Sequence, residues 1–408
     1  PAELENVQRL EKVLKISSIL LISSYLLYII SLMGINTWLW KITYVLYAAY
    51  FFMNDQHVKA FFRESIDIEF ELRRLNSVFY KLEKFDFGKN INLQAFCQEF
   101  KKEETKPSLY MKRIKNLVAS ASVQNNPAVW LLTNAIFPWD FFHGYRLKKY
   151  KSQIAKIMPN WLNSWFELEA MISLANFSYL NPEYIFPEIS SEKKDFVFKA
   201  KSMGHPLLPI GKKVCNDFTL NKPGEIIIIT GSNMAGKSTF LRTLGINLSL
   251  AFAGGPVNAE EFNTFLFRLF TCIRVNDSVT DGLSYFYAEV KRLKALLEEL
   301  KTPNELPLFF LIDEIFRGTN NRERLTGSRS YINALTGHHG IGAISTHDLE
   351  LVKLADTSRE ITNYHFKDDI TDDKMVFDYK IHQGPCPTTN ALKIMEIEGL
   401  PVNYAEQN

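Results

Sequence analysis

The chain has 408 residues, enough for two or three domains and a large core. Its 47 Lys+Arg against 45 Asp+Glu leave a formal net charge of +2, which excludes coating nucleic acid by charge alone and leaves room for a local basic patch. Cys97, Cys215, Cys272 and Cys386 are widely spaced, with no CxxC and no nearby histidine pair, which excludes a disulfide frame or zinc site and fits buried thiols in a reducing compartment.

The first residue is Pro1, not methionine, as expected of a fragment. From Ile16 to Trp40 no residue is charged, and a second uncharged run, "ITYVLYAAYFFMN", follows Lys41. As a helix, residues 16–33 measure about 27 Å, close to the hydrocarbon thickness of a bilayer. Gly34-Ile35-Asn36-Thr37 suits a turn, so residues 16–53 read as a membrane-inserting helical hairpin, with Trp38, Trp40, Tyr44 and Tyr47 suited to an interface. Arg9, Lys12 and Lys15 precede it and Lys59 and Arg63 follow, which predicts both ends on the cytoplasmic side. A hairpin buried in a soluble core, or serving as a dimerisation surface, is the competing reading. The expected organisation is a hydrophobic hairpin over 1–55, an all-α domain over 56–195 and an α/β domain over 196–408.

Residues 56–180 read as helix, interrupted by the polar "KKEETKP" at 101–107. Trp161, Trp165, Leu168, Ile172, Ala175 and Tyr179 recur at four- and three-residue steps and predict a core-facing stripe in a helix bundle. "HGYRLKKYKSQIAK" (143–156) is a concentrated basic stretch, read as a solvated helix face. "NPEYIFPEISSEKKD" (181–195) predicts a linker.

Ile226 to Ile229 form an unbroken β-branched run, suited to a strand buried on both faces of a parallel sheet. After it comes Gly231-Ser232-Asn233-Met234-Ala235-Gly236-Lys237-Ser238-Thr239, and then apolar residues at helical spacing: Phe240, Leu244, Leu248 and Phe252. The spelling Gly-x4-Gly-Lys-Ser between strand and helix is the phosphate-binding P-loop. Its glycines let backbone N–H groups close around phosphates at a helix N-terminus. Lys237 would reach the β- and γ-phosphates and Ser238 would hold Mg²⁺.

Two further strand ends supply the remaining chemistry. "LPLFFLIDEI" (306–315) ends in Asp313, expected in the Mg²⁺ shell, and Glu314, expected to activate the attacking water. "IGAISTHDLE" (341–350) ends in Thr346-His347-Asp348, where His347 could sense or stabilise the γ-phosphate. Together these predict an α/β P-loop NTPase domain of ABC type. A transporter subunit is disfavoured, because no Leu-Ser-Gly-Gly-Gln precedes "LPLFFLIDE".

The segment 200–402 resembles the ATPase domain of the MutS DNA mismatch-repair family. "GHPLL" (204–208) and "NDFTL" (216–220) match its lead-in, and "TGSNMAGKSTFLR" looks like its Walker A. "DGLSYFYAEVKRL" (281–293) matches the stretch between the Walker motifs. "LIDEIFRGTNNRERLTGS" looks like its Walker B with the Arg-Gly-Thr loop, "ISTHDLEL" like its histidine switch and "EGLP" (398–401) like its end. Residues 60–180 are similar, more weakly, to the family's helical core and lever segment. The resemblance implies an ATP- and Mg²⁺-dependent ATPase, DNA binding, and a homodimer through the ATPase domains. In that dimer Ser284 of one subunit faces the γ-phosphate held by the other, and Thr319-Asn320-Asn321 crosses the interface. With the hairpin, it implies a cytoplasmic ATPase anchored to the cell (inner) membrane. Ser232 stands where the family has proline. Phe62-Arg63-Glu64 and Phe186-Pro187-Glu188 spell the family's mismatch-reading tripeptide but follow no strand-rich sequence, and both read as chance. Mismatch reading is therefore the least supported of these expectations, and a membrane-tethered ATPase in another role is the alternative.

Overall fold

Uncharged sequence at the N-terminus makes helix. In the computed structural model, α1 (Ala2–Leu32) turns into α2 (Leu39–Lys84), so the apolar run after Lys41 and the charged sequence after Asp55 form one continuous helix. The structure describes residues 2–35, 38–120, 123–124, 126–190, 197–232, 234–273, 285–316, 320–371, 374–387 and 401. The chain divides into two compact units, Pro1–Met171 and Ile172–Asn408.

In the first unit, α1 and α2 are followed by α3 (Ile91–Phe96), α4 (Gln98–Lys101), α5 (Pro107–Ser120), α6 (Pro127–Ile136) and α7 (Trp139–Leu180), whose last residues, from Ile172, belong to the second unit. Two apolar clusters hold it together. Val13, Leu21, Tyr47, Phe51, Leu117, Phe141 and Leu147 pack around the hairpin. Phe79, Cys97, Phe100, Tyr110, Ile114 and Trp161 pack further along. The stripe expected on α7 is core only in part: Trp161 and Leu168 are buried, whereas Ile172, Ala175 and Tyr179 are exposed. Past Leu168 the helix turns another side inward, and Phe177 packs on Tyr184.

The second unit is a mixed α/β structure. It runs β1 (Glu188–Ile189), β2 (Phe198–Met203), β3 (Asn216–Leu220), β4 (Ile226–Thr230), α8 (Lys237–Phe252), β5 (Glu261–Thr264), β6 (Arg268–Cys272) and α9 (Tyr285–Lys301). It continues with β7 (Leu308–Asp313), α10 (Asn321–Leu335), β8 (Gly340–Ser345), α11 (Leu354–Thr357), β9 (Ile361–Thr371) and β10 (Lys374–Gln383). One sheet has the order β10-β9-β4-β8-β7-β6, parallel except for β10. Strand periodicity explains the four isoleucines of β4. Ile227 and Ile229 enter the cluster with Phe240, Leu244 and Leu248 of α8, while Ile226 and Ile228 enter the cluster with Leu296 and Ile332 of α9 and α10. Both faces are thus covered by helices.

A second sheet, in the order β1-β5-β2-β3, has no counterpart in the sequence reading. Its strand β1 falls within the expected linker, where Glu188 and Ile189 pair in parallel with Asn263 and Thr264.

Candidate functional site

The site lies at the C-terminal ends of β4, β7 and β8, the edge of a parallel sheet where chain crossovers leave room for a ligand. β4 ends at Thr230, and the chain makes a tight loop before entering α8. Gly231 has φ 141°, and a Cβ there would lie 2.6 Å from the Phe366 carbonyl oxygen, so only glycine fits. Gly236 caps α8 with φ 114°, and Ala235 between them is buried. Met234 is exposed, and Asn233 lies outside the described residues.

Lys237 is the first residue of α8 and only 5% exposed. Its ammonium donates to the carbonyls of Gly231 (2.8 Å) and Ser232 (2.7 Å) and to Nδ1 of His347 (3.4 Å). A lysine can only donate, so His347 Nδ1 accepts and its Nε2–H points the other way, toward Glu314 Oε1 at 2.6 Å. Lys237, His347 and Glu314 therefore form one chain of contacts. Ser238 Oγ donates to Asp313 Oδ1 at 2.9 Å, and Ser345 Oγ donates to the same oxygen at 2.6 Å. Thr239, exposed on the first turn, gives its carbonyl to the Thr243 hydroxyl.

The backbone beside Asp313 is unusual. Glu314 and Phe316 both have φ 58°, conformations that ordinary L-residues avoid. They are held by Glu314 N–H donating to the Ser345 carbonyl (3.1 Å) and Phe316 N–H donating to Glu289 Oε1 (2.6 Å). On the other side, Arg324 of α10 forks onto Asp348 at 3.0 and 3.1 Å, fixing the residue after His347. That hydrogen bond holds the Arg324 guanidinium above the ordinary arginine range.

A cavity of about 420 Å³ adjoins these groups, lined by Lys237, Thr239, Glu314 and His347 at one end and by His205, Val214 and Tyr379 elsewhere. Burial, with the Arg242 charge, holds His205 below the ordinary histidine range. Among the described residues no cluster of three or more His, Cys, Asp or Glu is placed to hold a metal ion unaided. A cation here would need Ser238, Asp313 and oxygens from a ligand.

Seven sequence-derived site residues thus meet in one place: Gly231, Ser232, Gly236, Lys237, Ser238, Asp313 and Glu314, with His347 joined to them. Ser284 and Thr319 lie outside the described residues. Sequence reasoning gave no role to Glu289, Arg324, Ser345 or Asp348, which act only through residues distant in the chain.

Comparison with known proteins gives a consistent family. A model of MutS domain V matches residues 227–407. Residues 227–407 are a MutS domain V. It is 31% identical over 247 residues to the DNA mismatch repair protein MutS of Geobacillus thermodenitrificans, covering 59% of this chain and 26% of that protein. The corresponding protein of Geobacillus kaustophilus is 29% identical over 265 residues, 63% of this chain and 29% of its own length. That of Chloroflexus aurantiacus is 29% identical over 242 residues, 57% and 24%. The chain therefore spans about a quarter of the length of these MutS relatives.

Proposed function

We propose that the second unit of this chain is a P-loop ATPase that binds and hydrolyses Mg-ATP. The carrying observation is Lys237, a buried cation at a helix N-terminus whose nearest acceptors are the carbonyls of its own loop. Such a cation, set among loop carbonyls at a helix N-terminus, suits the β- and γ-phosphates. Ser238 Oγ and Asp313 Oδ1 have the donor chemistry for Mg²⁺, which when bound neutralises charge on the phosphate oxygens. Glu314 would orient and deprotonate the attacking water, and His347 would hold the Glu314 carboxylate in place from the Lys237 side. Family resemblance supports dimerisation through the ATPase domains, with Ser284 acting across the interface, and action on DNA.

One observation favours a membrane-tethered form of this ATPase, seated through residues 16–53 at the cell membrane. Within Gln8–Leu32 the most apolar 18-residue window has a mean hydropathy of 2.0, and only 22% of it is buried. By length and composition it can cross a bilayer.

Two variants of the full chain test the assignment. Lys237→Ala should abolish binding of a fluorescent ATP analogue. Glu314→Gln should bind it normally and hydrolyse ATP roughly 10²–10⁴-fold more slowly. Native turnover by Glu314→Gln would remove Glu314 as the base. The trapped variant then reports on DNA: with ATP at physiological salt, it can be titrated with matched and mismatched duplexes of equal length. A preference of about tenfold or more for the mismatch, roughly 1.4 kcal/mol, would make the chain a mismatch sensor. Equal or absent binding would favour the tethered, non-mismatch role.

A further inference from the structure

We infer that residues 127–142 are a re-entrant element that enters the bilayer beside the α1–α2 hairpin and turns back near mid-depth. The inference rests on the membrane reading of the hairpin and extends it to a segment too short to cross by itself.

α6 is a ten-residue helix, started by the Asn126 side chain, which accepts from Ala128 N–H and Val129 N–H. It presents Val129, Leu131, Leu132 and Ile136 outward, the last two at 64% and 66% exposure. At Phe137-Pro138 the chain reverses into α7. The two arms lie at one level against α2: Phe51 packs on Trp130 of the ascending arm (5.9 Å) and on Phe141 of the descending arm (4.9 Å). Trp130 Nε1 also donates to the Asp140 carboxylate at 2.7 Å, tying arm to arm. One and two turns below Phe141, Tyr145 and Lys149 lie near Lys15 and Glu11 respectively. That level, with exposed Arg9, Lys12, Lys15, Arg146 and Lys149, suits anionic headgroups.

The apex is where a bilayer and water would ask for different chemistry. The last carbonyls of a helix have no intrahelical partner, and here Pro138 cannot supply the N–H that would serve Asn134. In water such carbonyls are solvated at no cost to the fold. In hydrocarbon each must be satisfied by the protein. Three tyrosines of the hairpin do so in succession: Tyr47 donates to Asn134 O, Tyr44 to Ala135 O (3.4 Å) and Tyr25 to Ile136 O (2.8 Å). Tyr25 lies ten residues beyond Lys15 on α1, about 15 Å above it, or half of a hydrocarbon core of about 30 Å. Within the hairpin, Ser24 and Thr43 hydroxyls likewise donate to the Trp40 carbonyl.

The test places a spin label at Ile29→Cys (hairpin), Ile136→Cys (apex) or Ile210→Cys (exposed, second unit), with Cys215 and Cys386 replaced by serine. The full chain is reconstituted in vesicles of phosphatidylcholine and phosphatidylglycerol. Collisions with a water-soluble nickel complex are compared with collisions with oxygen. The expected result is shielding from nickel at both Ile29 and Ile136, roughly tenfold relative to Ile210, with the apex label about 15 Å deep. Shielding at Ile29 with nickel access at Ile136 equal to Ile210 would overturn the re-entrant element and leave the hairpin in the membrane. Access at all three would overturn the membrane reading itself. Leu132→Cys, one turn below the apex, gives a second site if the apex label disturbs packing, and intermediate shielding is expected there.

Discussion

Asp348 illustrates how a residue outside the reacting groups governs them. It follows His347, whose ring lies between Lys237 and Glu314, and Arg324 grips its carboxylate with two nitrogens at 3.0 and 3.1 Å. A planar fork fixes orientation as well as distance, which a lysine cannot reproduce. Arg324→Ala should therefore lower kcat by about an order of magnitude, since a small misplacement of the His347–Glu314 pair is costly, while leaving KM for ATP within about twofold. Arg324→Lys should restore little of the loss. Equal increases in KM for both variants would instead make Arg324 part of nucleotide binding. Arg324 and Glu289 also mark the limit of legibility. Asp313 and Glu314 could be read because they end an unbroken apolar run that announces a strand, and Lys237 and Ser238 because the glycine-spaced loop that leads to them follows such a run. Glu289 and Arg324 sit among ordinary charged helical residues, and only the fold brings them to Phe316 N–H and Asp348.

At the scale of elements, the central strands tolerate no change in width. Gly342 of β8 lies between β4 and β7, and a Cβ there would collide with the Phe310 carbonyl and ring. Gly342→Ala should destabilise the fold by about 1–3 kcal/mol or more, seen as a lower denaturant midpoint of the full chain. Gly211→Ala, with nothing within 4 Å of the added Cβ, should leave the midpoint nearly unchanged. Equal shifts would show that β8 is not as tightly packed as its geometry states. The parallel strands were visible in sequence because burial on both faces writes a continuous apolar run. The sheet β1-β5-β2-β3 was not, because Glu188 finds Asn263 and Lys199 finds both Thr219 and Asn263 across the chain, with no two-residue hairpin turn joining them. Helical periodicity failed in a third way on α7. A stripe shows which residues share a face, but not where along a 42-residue helix the packing partner ends.

At the scale of the whole molecule, the proposed function requires that ATP binding and self-association be linked. If ATP draws two ATPase domains together, association must tighten ATP binding by the same factor, because the coupling free energy is shared by the two equilibria. The Glu314→Gln chain makes this measurable, since hydrolysis no longer drains the bound state. Its apparent ATP affinity should rise as protein concentration crosses the dimerisation range, by roughly 5–150-fold for a coupling of about 1–3 kcal/mol. The formal net charge of +2 on the chain sets only weak long-range repulsion against association, so the effect should survive at physiological salt. Lys237→Ala, unable to hold the phosphates, should show the same sedimentation with and without nucleotide. One ATP affinity at every protein concentration would mean that the nucleotide closes a site within a single chain, and Ser284 would then have no partner site to complete.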